Sequence, residues 1–408
     1  LRDANLLSEL RLLHFHVGSQ INDIAVVKDA LQEASRLYVE LHALGAPMGY
    51  LDVGGGLGID YDGSRTSTAA STNYSLQNYA NDVVATVKEG CEPNNVPVPT
   101  LVSESGRAIA SHFSVLVFNV LGSGGLQQPA PPVEQDEPLI VRNLRETFQG
   151  IQALPTETPV DPSRLQEAWN DALKFKEDAL AAFRLGYLSL KERSMAEQLT
   201  WACARALLDR LHDVAKLPDD LKTLPAVLAE TYYANLSIFR SAPDTWAIQQ
   251  LFPVMPLHRL NEKPTRLGHF ADLTCDSDGK LNRFINDGQN KPLLELHPLK
   301  PHEPYLIGMF LGGAYQEVMG NLHNLFGSTD AAHIRLAPGG DYQVDHVVRG
   351  DTNADVLEMM EHDPVQLLER LRMASEKAIS SGTLRIHESR RLMDHLEISL
   401  RQSTYLQS

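Results

Sequence analysis

Cysteine is scarce, with Cys91, Cys203 and Cys275 the only three in 408 residues. That number builds no disulfide framework and points to a reducing compartment, the cytoplasm. Long apolar runs are missing too. No stretch reaches the roughly 18 residues that a membrane helix needs, and no secretory signal is visible. Basic charge is in the minority, with 36 Lys and Arg against 52 Asp and Glu and a formal net charge of -16. Without a basic stripe, nucleic acid is a poor main partner, whereas a small cationic substrate suits such a surface. No repeat of roughly 20–50 residues is visible, which sets aside solenoids and propellers. There is no initiator Met, and a strand pattern starts by Leu10, so the chain reads as a piece of a longer polypeptide. What is present is the 43% hydrophobic and 22% charged balance of a protein with sizeable cores, and the length suggests two or three domains.

Residues 1–121 alternate strand and helix. Leu10–Val17 reads as a strand. A helix follows from Asp23 to Leu44, with Ile24, Val27, Leu31, Ala34, Tyr38 and Leu41 forming one apolar stripe. Asp23 suits its N-cap and Gly45 its end. Tyr50–Val53 reads as a strand, Ser75 caps a helix that stops near Gly90, and Thr100–Val102 and Phe113–Leu121 are further strands. This order predicts a parallel sheet, either doubly wound or part of a (β/α)8 barrel. Residues 122–138 carry Gly, Pro and acid without periodicity and read as a linker, and helical spacing then extends to about 222, which predicts an inserted helical bundle over 122–228. Short apolar and aromatic runs between turns predict an antiparallel β domain over 229–350, with a hairpin turn at Ala337–Asp341. Residues 351–408 return to helix.

Five short motifs carry chemistry. His14-Phe15-His16-Val17-Gly18-Ser19 ends a strand, where parallel α/β folds face their ligands. Side-chain alternation is taken to send one of His14 and His16 inward and the other outward. Gly54-Gly55-Gly56-Leu57-Gly58 can cradle phosphate, or simply make a tight turn. Ser103-Glu104-Ser105-Gly106-Arg107 sets a carboxylate and a guanidinium three residues apart, for one ligand or for a structural ion pair. Thr274-Cys275-Asp276-Ser277-Asp278-Gly279 offers a proton donor beside anchors for a cation. It hints at a calcium loop whose remaining ligands are missing, and its bland reading is an acidic turn. Gly312-Gly313-Ala314-Tyr315 precedes a helical stretch from Gln316 to Phe326 and suits phosphate binding, or a packed tyrosine.

In this order the motifs HFHVGS, LDVGGG, SESGR, TCDSDG and GGAY resemble the alanine-racemase-like (fold type III) decarboxylases that use pyridoxal 5′-phosphate, and most closely their arginine decarboxylase branch. ESGR in place of EPGR, the TCDSDG wording and the helical insert narrow the likeness that far. The resemblance implies a partial (β/α)8 cofactor-binding barrel over 1–121, then the helical insert, the antiparallel β domain and C-terminal helices. It implies that His16 stacks on the pyridine ring, Glu104 bonds the pyridine nitrogen, and Ser19, Gly55, Gly56, Arg107 and Tyr315 hold the phosphate. Cys275 would serve protonation, and Asp276, with Asp278 second, would meet the cationic end of the substrate. The family supplies this Cys-Asp pair from a neighbouring subunit, which implies a homo-oligomer. Magnesium is associated with the family, yet no ligand cluster in the sequence identifies a site. A carboxylate at Glu104 favours decarboxylation over racemization, because it keeps the pyridine nitrogen protonated.

The family's Schiff-base lysine precedes the HVGS motif, and residues 1–15 contain no Lys. The expected reaction is arginine to agmatine and CO2, in polyamine biosynthesis, for a protein complete with that lysine. The alternatives are a catalytically dead homologue acting as a binding or regulatory protein, ornithine decarboxylase, which lacks a comparable insert, and diaminopimelate decarboxylase, which carries Cys-Glu at the Cys-Asp position.

Overall fold

The computed structural model describes residues 1–125, 129–155, 161–211, 217–286 and 289–407. Three strands, β1 (Leu12–His14), β2 (Tyr50–Asp52) and β3 (Thr100–Val102), lie parallel in that order. The crossovers are α1 (Ile24–Ala43) and α2 (Leu76–Cys91), as in a segment of a β/α barrel. Asp23 accepts the Ala25 N–H at 3.0 Å to start α1. Ser75 and Asn78 form a reciprocal capping box that starts α2. Val27, Leu31, Ala34 and Tyr38 meet Leu51, Val83 and Val87 in one core. The α2 helix runs through Gly90, where a Cβ would stand 3.0 Å from that of Ser35, so the glycine lets the two helices approach.

The expected strand over Phe113–Leu121 forms as β4 (Val115–Gly124), but it does not join the parallel sheet. It pairs antiparallel with β5 (Glu230–Ala234) and β12 (Leu306–Phe310). Burial decides this: Phe118 and Val120 point into a core with Tyr232, Phe270 and Ile307. With β6 (Val254–Pro256), β7 (Arg266–Ala271), β8 (Lys280–Leu281) and β11 (Leu294–Leu296), these strands make a seven-stranded sheet. The sheet is mixed instead of purely antiparallel, because β5 and β7 run parallel. Ile59, Tyr61 and Ala70, from the segment after β2, enter the same core and join the two sheets.

The helices α4 (Leu139–Gln152), α5 (Pro162–Arg184) and α6 (Leu190–Leu208) bury Leu144, Leu165, Trp169, Leu199 and Leu207 against one another. Residues 126–128 of the expected linker lie outside the described residues, and its later part is tied down. Buried Arg145 forms an ion pair with buried Glu137 and donates to the Pro131 carbonyl at 2.9 Å and the Pro132 carbonyl at 3.1 Å. Farther on, Ala331–Leu336 and Tyr342–Val348 pair as an antiparallel hairpin around the expected turn, where Gly339 and Gly340 have positive φ. The helices Asn353–Met359, Pro364–Ser380 and Ile386–Arg401 follow. Among the described residues no helix is long and apolar enough to cross a membrane.

Removing one partner of a buried pair strands the other charge, at a cost of about 3–5 kcal/mol. Arg145→Met should therefore lose about that much stability in urea unfolding at pH 7. Arg145 holds the Glu137 carboxyl below its ordinary value. The resulting stabilisation is complete above the unfolded value, about 4.3, and disappears as pH falls through the lower folded value. The difference between wild type and variant should accordingly shrink in acid, and a difference that grows there would contradict this account.

Candidate active site

The parallel strands deliver their C-terminal ends to one place. Phe15 to Ser19 follow β1, Gly54 to Gly58 follow β2, and Glu104 to Arg107 follow β3. Glycine is required at the centre. Gly54 has φ 67, and a Cβ there would lie 2.1 Å from the Phe15 carbonyl oxygen. Its carbonyl accepts the Glu104 N–H at 2.9 Å, while its own N–H donates to Asp52 Oδ1 at 2.9 Å. At Gly55 a Cβ would come within 2.7 Å of the Glu104 carbonyl oxygen, and at Gly56 within 2.6 Å of the Gly18 carbonyl oxygen. The backbone of each strand end thus packs on the next.

A cleft of about 370 Å³ opens there, lined by His16, Ser19, Gly55, Gly56, Glu104, Arg107 and Tyr315 among others. The structure therefore brings together every residue that the sequence suggested for holding a cofactor. The Gly55 N–H donates to His16 Nδ1 at 3.0 Å, which fixes the ring and leaves its proton on Nε2 when neutral. Arg107 is 5% exposed. Its terminal nitrogens donate to Ser19 Oγ and to the Tyr61 hydroxyl, both at 2.9 Å, and its guanidinium lies 5.0 Å from the Tyr315 ring centre. The Arg107 Nε is buried with no partner. A buried cation with an unused donor, beside two hydroxyls in an open cleft, fits the phosphate of pyridoxal 5′-phosphate. Tyr315 reaches the site from the loop after β12, itself at φ 69. The helix after it is one turn, Gln316–Met319, and does not continue to Phe326 as expected.

His14 and His16 do not divide between the two faces. Alternation has period two, so residues two apart share a face, and it is Phe15 that turns into the helix-covered core. His14 sits opposite Asp52 in register, and its Nδ1 is 2.9 Å from Asp52 Oδ2. Burial would raise the Asp52 carboxyl, but the Gly54 amide and His14 outweigh it and hold the group below its ordinary value. Donor atoms of His14, Asp52 and Glu104 lie within 4.8 Å of one another. Magnesium prefers an octahedron of oxygens, which this trio of one imidazole and two carboxylates does not supply.

Cys275, Asp276 and Asp278 are exposed and do not line the cleft of their own chain. Their turn is well organised. Asp272 accepts from the Thr274 amide at 2.9 Å and hydroxyl at 2.7 Å, Asp276 Oδ1 accepts the Asp278 N–H at 2.9 Å, and Asn324 Nδ2 donates to Cys275 Sγ at 3.1 Å. Three contributors escaped the sequence reading. Asp52 stood in the LDVGGG motif without a role, Tyr61 lies 46 residues from the arginine it orients, and Asn324 belongs to no motif.

If close packing at the triple glycine assembles the site, Gly54→Ala should destabilise more than Gly63→Ala. Both positions have positive φ, but nothing lies within 4 Å of a Cβ at Gly63. Overpacking adds about 1–3 kcal/mol to the shared backbone strain. Equal melting-temperature losses for the two variants would contradict this assembly.

Three family models match successive parts of the chain. The pyridoxal-binding domain of the pyridoxal-dependent decarboxylases covers residues 1–111, the helical bundle domain of arginine decarboxylase 134–225, and the C-terminal helical extension of arginine decarboxylase 354–406. The biosynthetic arginine decarboxylase of Parasynechococcus marenigrum is 72% identical over 100% of the chain and 63% of its own length. That of Synechococcus sp. strain RCC307 is 73% identical over 100% and 62%. The crystal structure of the biosynthetic arginine decarboxylase from Campylobacter jejuni superposes with a TM-score of 0.82 at 32% identity, covering 100% of this chain and 65% of that one. The chain thus spans a little under two thirds of the length of the relatives it matches. With the strand-end cleft, the helical bundle and the C-terminal helices in the same order as these relatives, the chain belongs to the biosynthetic arginine decarboxylase family of pyridoxal-dependent enzymes.

Proposed function

We propose that this chain forms part of a pyridoxal 5′-phosphate-dependent decarboxylase that converts L-arginine to agmatine and CO2 and so feeds polyamine biosynthesis in the cytoplasm. The observation that carries the reading is the meeting of His16, Ser19, Glu104, Arg107 and Tyr315 in one cleft at the strand ends. When bound, the cofactor supplies an electron sink for the charge left on Cα as CO2 departs. His16, fixed by the Gly55 amide, would pack against its ring. The Glu104 carboxylate favours a protonated pyridine nitrogen. Ser19, Arg107 and Tyr315 would hold the phosphate with the backbone at Gly55 and Gly56.

Cys275 would serve protonation at Cα, and Asp276, with Asp278 beside it, would offer the carboxylate that a guanidinium binds in a bidentate manner. Exposure of all three, away from their own cleft, supports a homo-oligomer in which they serve the site of a second copy. Among the described residues no lysine lines the cleft, and the covalent anchor is assigned to the part of the full-length protein that these residues do not include. A requirement for magnesium gains no support from the only three-donor group found among the described residues.

Assayed in the full-length polypeptide, CO2 release should be fastest from arginine, ahead of ornithine, lysine and diaminopimelate. Absence of an arginine preference would overturn the substrate assignment. The 408-residue chain should bind the cofactor reversibly. Borohydride reduction followed by peptide mapping should find no lysine labelled stoichiometrically, and one such lysine would contradict the assignment of the anchor.

A further inference from the structure

We infer that Gln316 and Asp244 are positioning residues for Tyr315: their paired hydrogen bonds hold the Tyr315 backbone in a left-handed turn, which keeps the phenol in the cleft that takes the phosphate. This rests on the cofactor reading above and adds to it the groups that fix one phosphate ligand. Tyr315 has φ 69 and ψ -20, a conformation that a residue with a bulky side chain keeps only where its surroundings impose it. Its ring borders the cleft and is exposed, so burial of the ring does not impose the turn. The helix Gln316–Met319 that follows is a single turn, too short to be stable by itself.

The neighbours of Tyr315 are locked on both sides. Before it, a Cβ at Gly313 would lie 1.9 Å from the Ala110 carbonyl oxygen, and the Gly313 N–H donates to the Ser111 carbonyl at 3.1 Å. That seats the loop on the short helix Gly106–Ala110, which carries Arg107. After it, Gln316 and Asp244 are both buried. Gln316 Nε2 donates to Asp244 Oδ2 at 2.8 Å and to the Ala314 carbonyl at 3.0 Å, and Gln316 Oε1 accepts the Asp244 N–H at 3.2 Å. A reversed amide would set donor against donor and oxygen against two oxygens, so its orientation is fixed. The bond to Ala314 spans Tyr315, and the two bonds to Asp244 fasten that bridge to the helix Pro243–Ala247. With both flanks held, the Tyr315 ring centre stands 5.0 Å from the Arg107 guanidinium, and a Cβ at Gly106 would lie 3.7 Å from the Tyr315 hydroxyl. The phenol is thus kept beside the buried cation of the cleft.

The test measures the affinity of the full-length protein, freed of cofactor, for pyridoxine 5′-phosphate and for pyridoxine, and takes the ratio as the hold on the phosphate. Tyr315→Phe should lower that ratio about tenfold, the worth of one hydrogen bond to a charged group. Gln316→Met and Asp244→Ala should lower it by a similar factor while the affinity for pyridoxine stays put. Asp244→Asn keeps an oxygen that accepts from Gln316 Nε2 and should retain the wild-type ratio, a rescue that separates the hydrogen bond from the charge. In the Tyr315→Phe background, Gln316→Met should cost nothing more, because both changes remove the same contact. Asp244→Ala leaves the Gln316 bond to Ala314 in place, so it carries the test if Gln316→Met does not fold. A ratio equal in Asp244→Ala and Asp244→Asn would overturn this inference alone. So would a further loss in the double variant, or a proportionate loss of affinity for pyridoxine. A wild-type protein that binds both compounds equally would overturn the phosphate reading and this inference together.

Discussion

The backbone of Gly54 lies against the Phe15 carbonyl so closely that a single methyl group would collide at 2.1 Å. The rest of the site depends on that contact. It draws the end of β1 onto the end of β2, and the Gly54 carbonyl then takes the Glu104 amide from the end of β3 at 2.9 Å. Three strands of only three residues each have little hydrogen bonding of their own. Their alignment comes from α1 and α2 behind them and from the glycine turn in front. Because the turn carries no side chains, its amides reach His16 and Asp52 instead of being covered.

From this frame the site extends into the second sheet. Tyr61 accepts from Arg107 and packs edge-on against Phe252 at 5.5 Å, so the arginine is braced from the core of the mixed sheet. Tyr315 approaches the same guanidinium from the loop after β12. The cleft is therefore a junction of two sheets. The helical bundle enters the chain between β4 and β5, which are neighbours in one sheet, so it leaves the strand order intact.

Local signals in the sequence were easy to read. Asp23, Ser75 and the α1 stripe announced their helices because caps and periodicity act within a few residues. The set that lines the cleft is legible for a related reason, since each member follows the end of a strand within a short motif. Long-range partnerships were not. Nothing within Val115–Gly124 shows whether it pairs with parallel neighbours or with β5, more than a hundred residues later. Tyr61 carries no mark of its bond to Arg107. His14 and His16 share a face, since a period of two puts both on one side. Asp52 carries no mark in the sequence of its bonds to His14 and the Gly54 amide, which form only when the strand ends meet.

The most direct measurement compares the affinity of this chain for pyridoxine 5′-phosphate and for pyridoxine, neither of which forms a covalent bond to lysine. If Ser19, Arg107, Tyr315 and the glycine backbone grip the phosphate, the phosphorylated compound should bind about 100-fold more tightly, the contribution of one or two charge-assisted hydrogen bonds. Equal affinity for the two compounds would contradict the account.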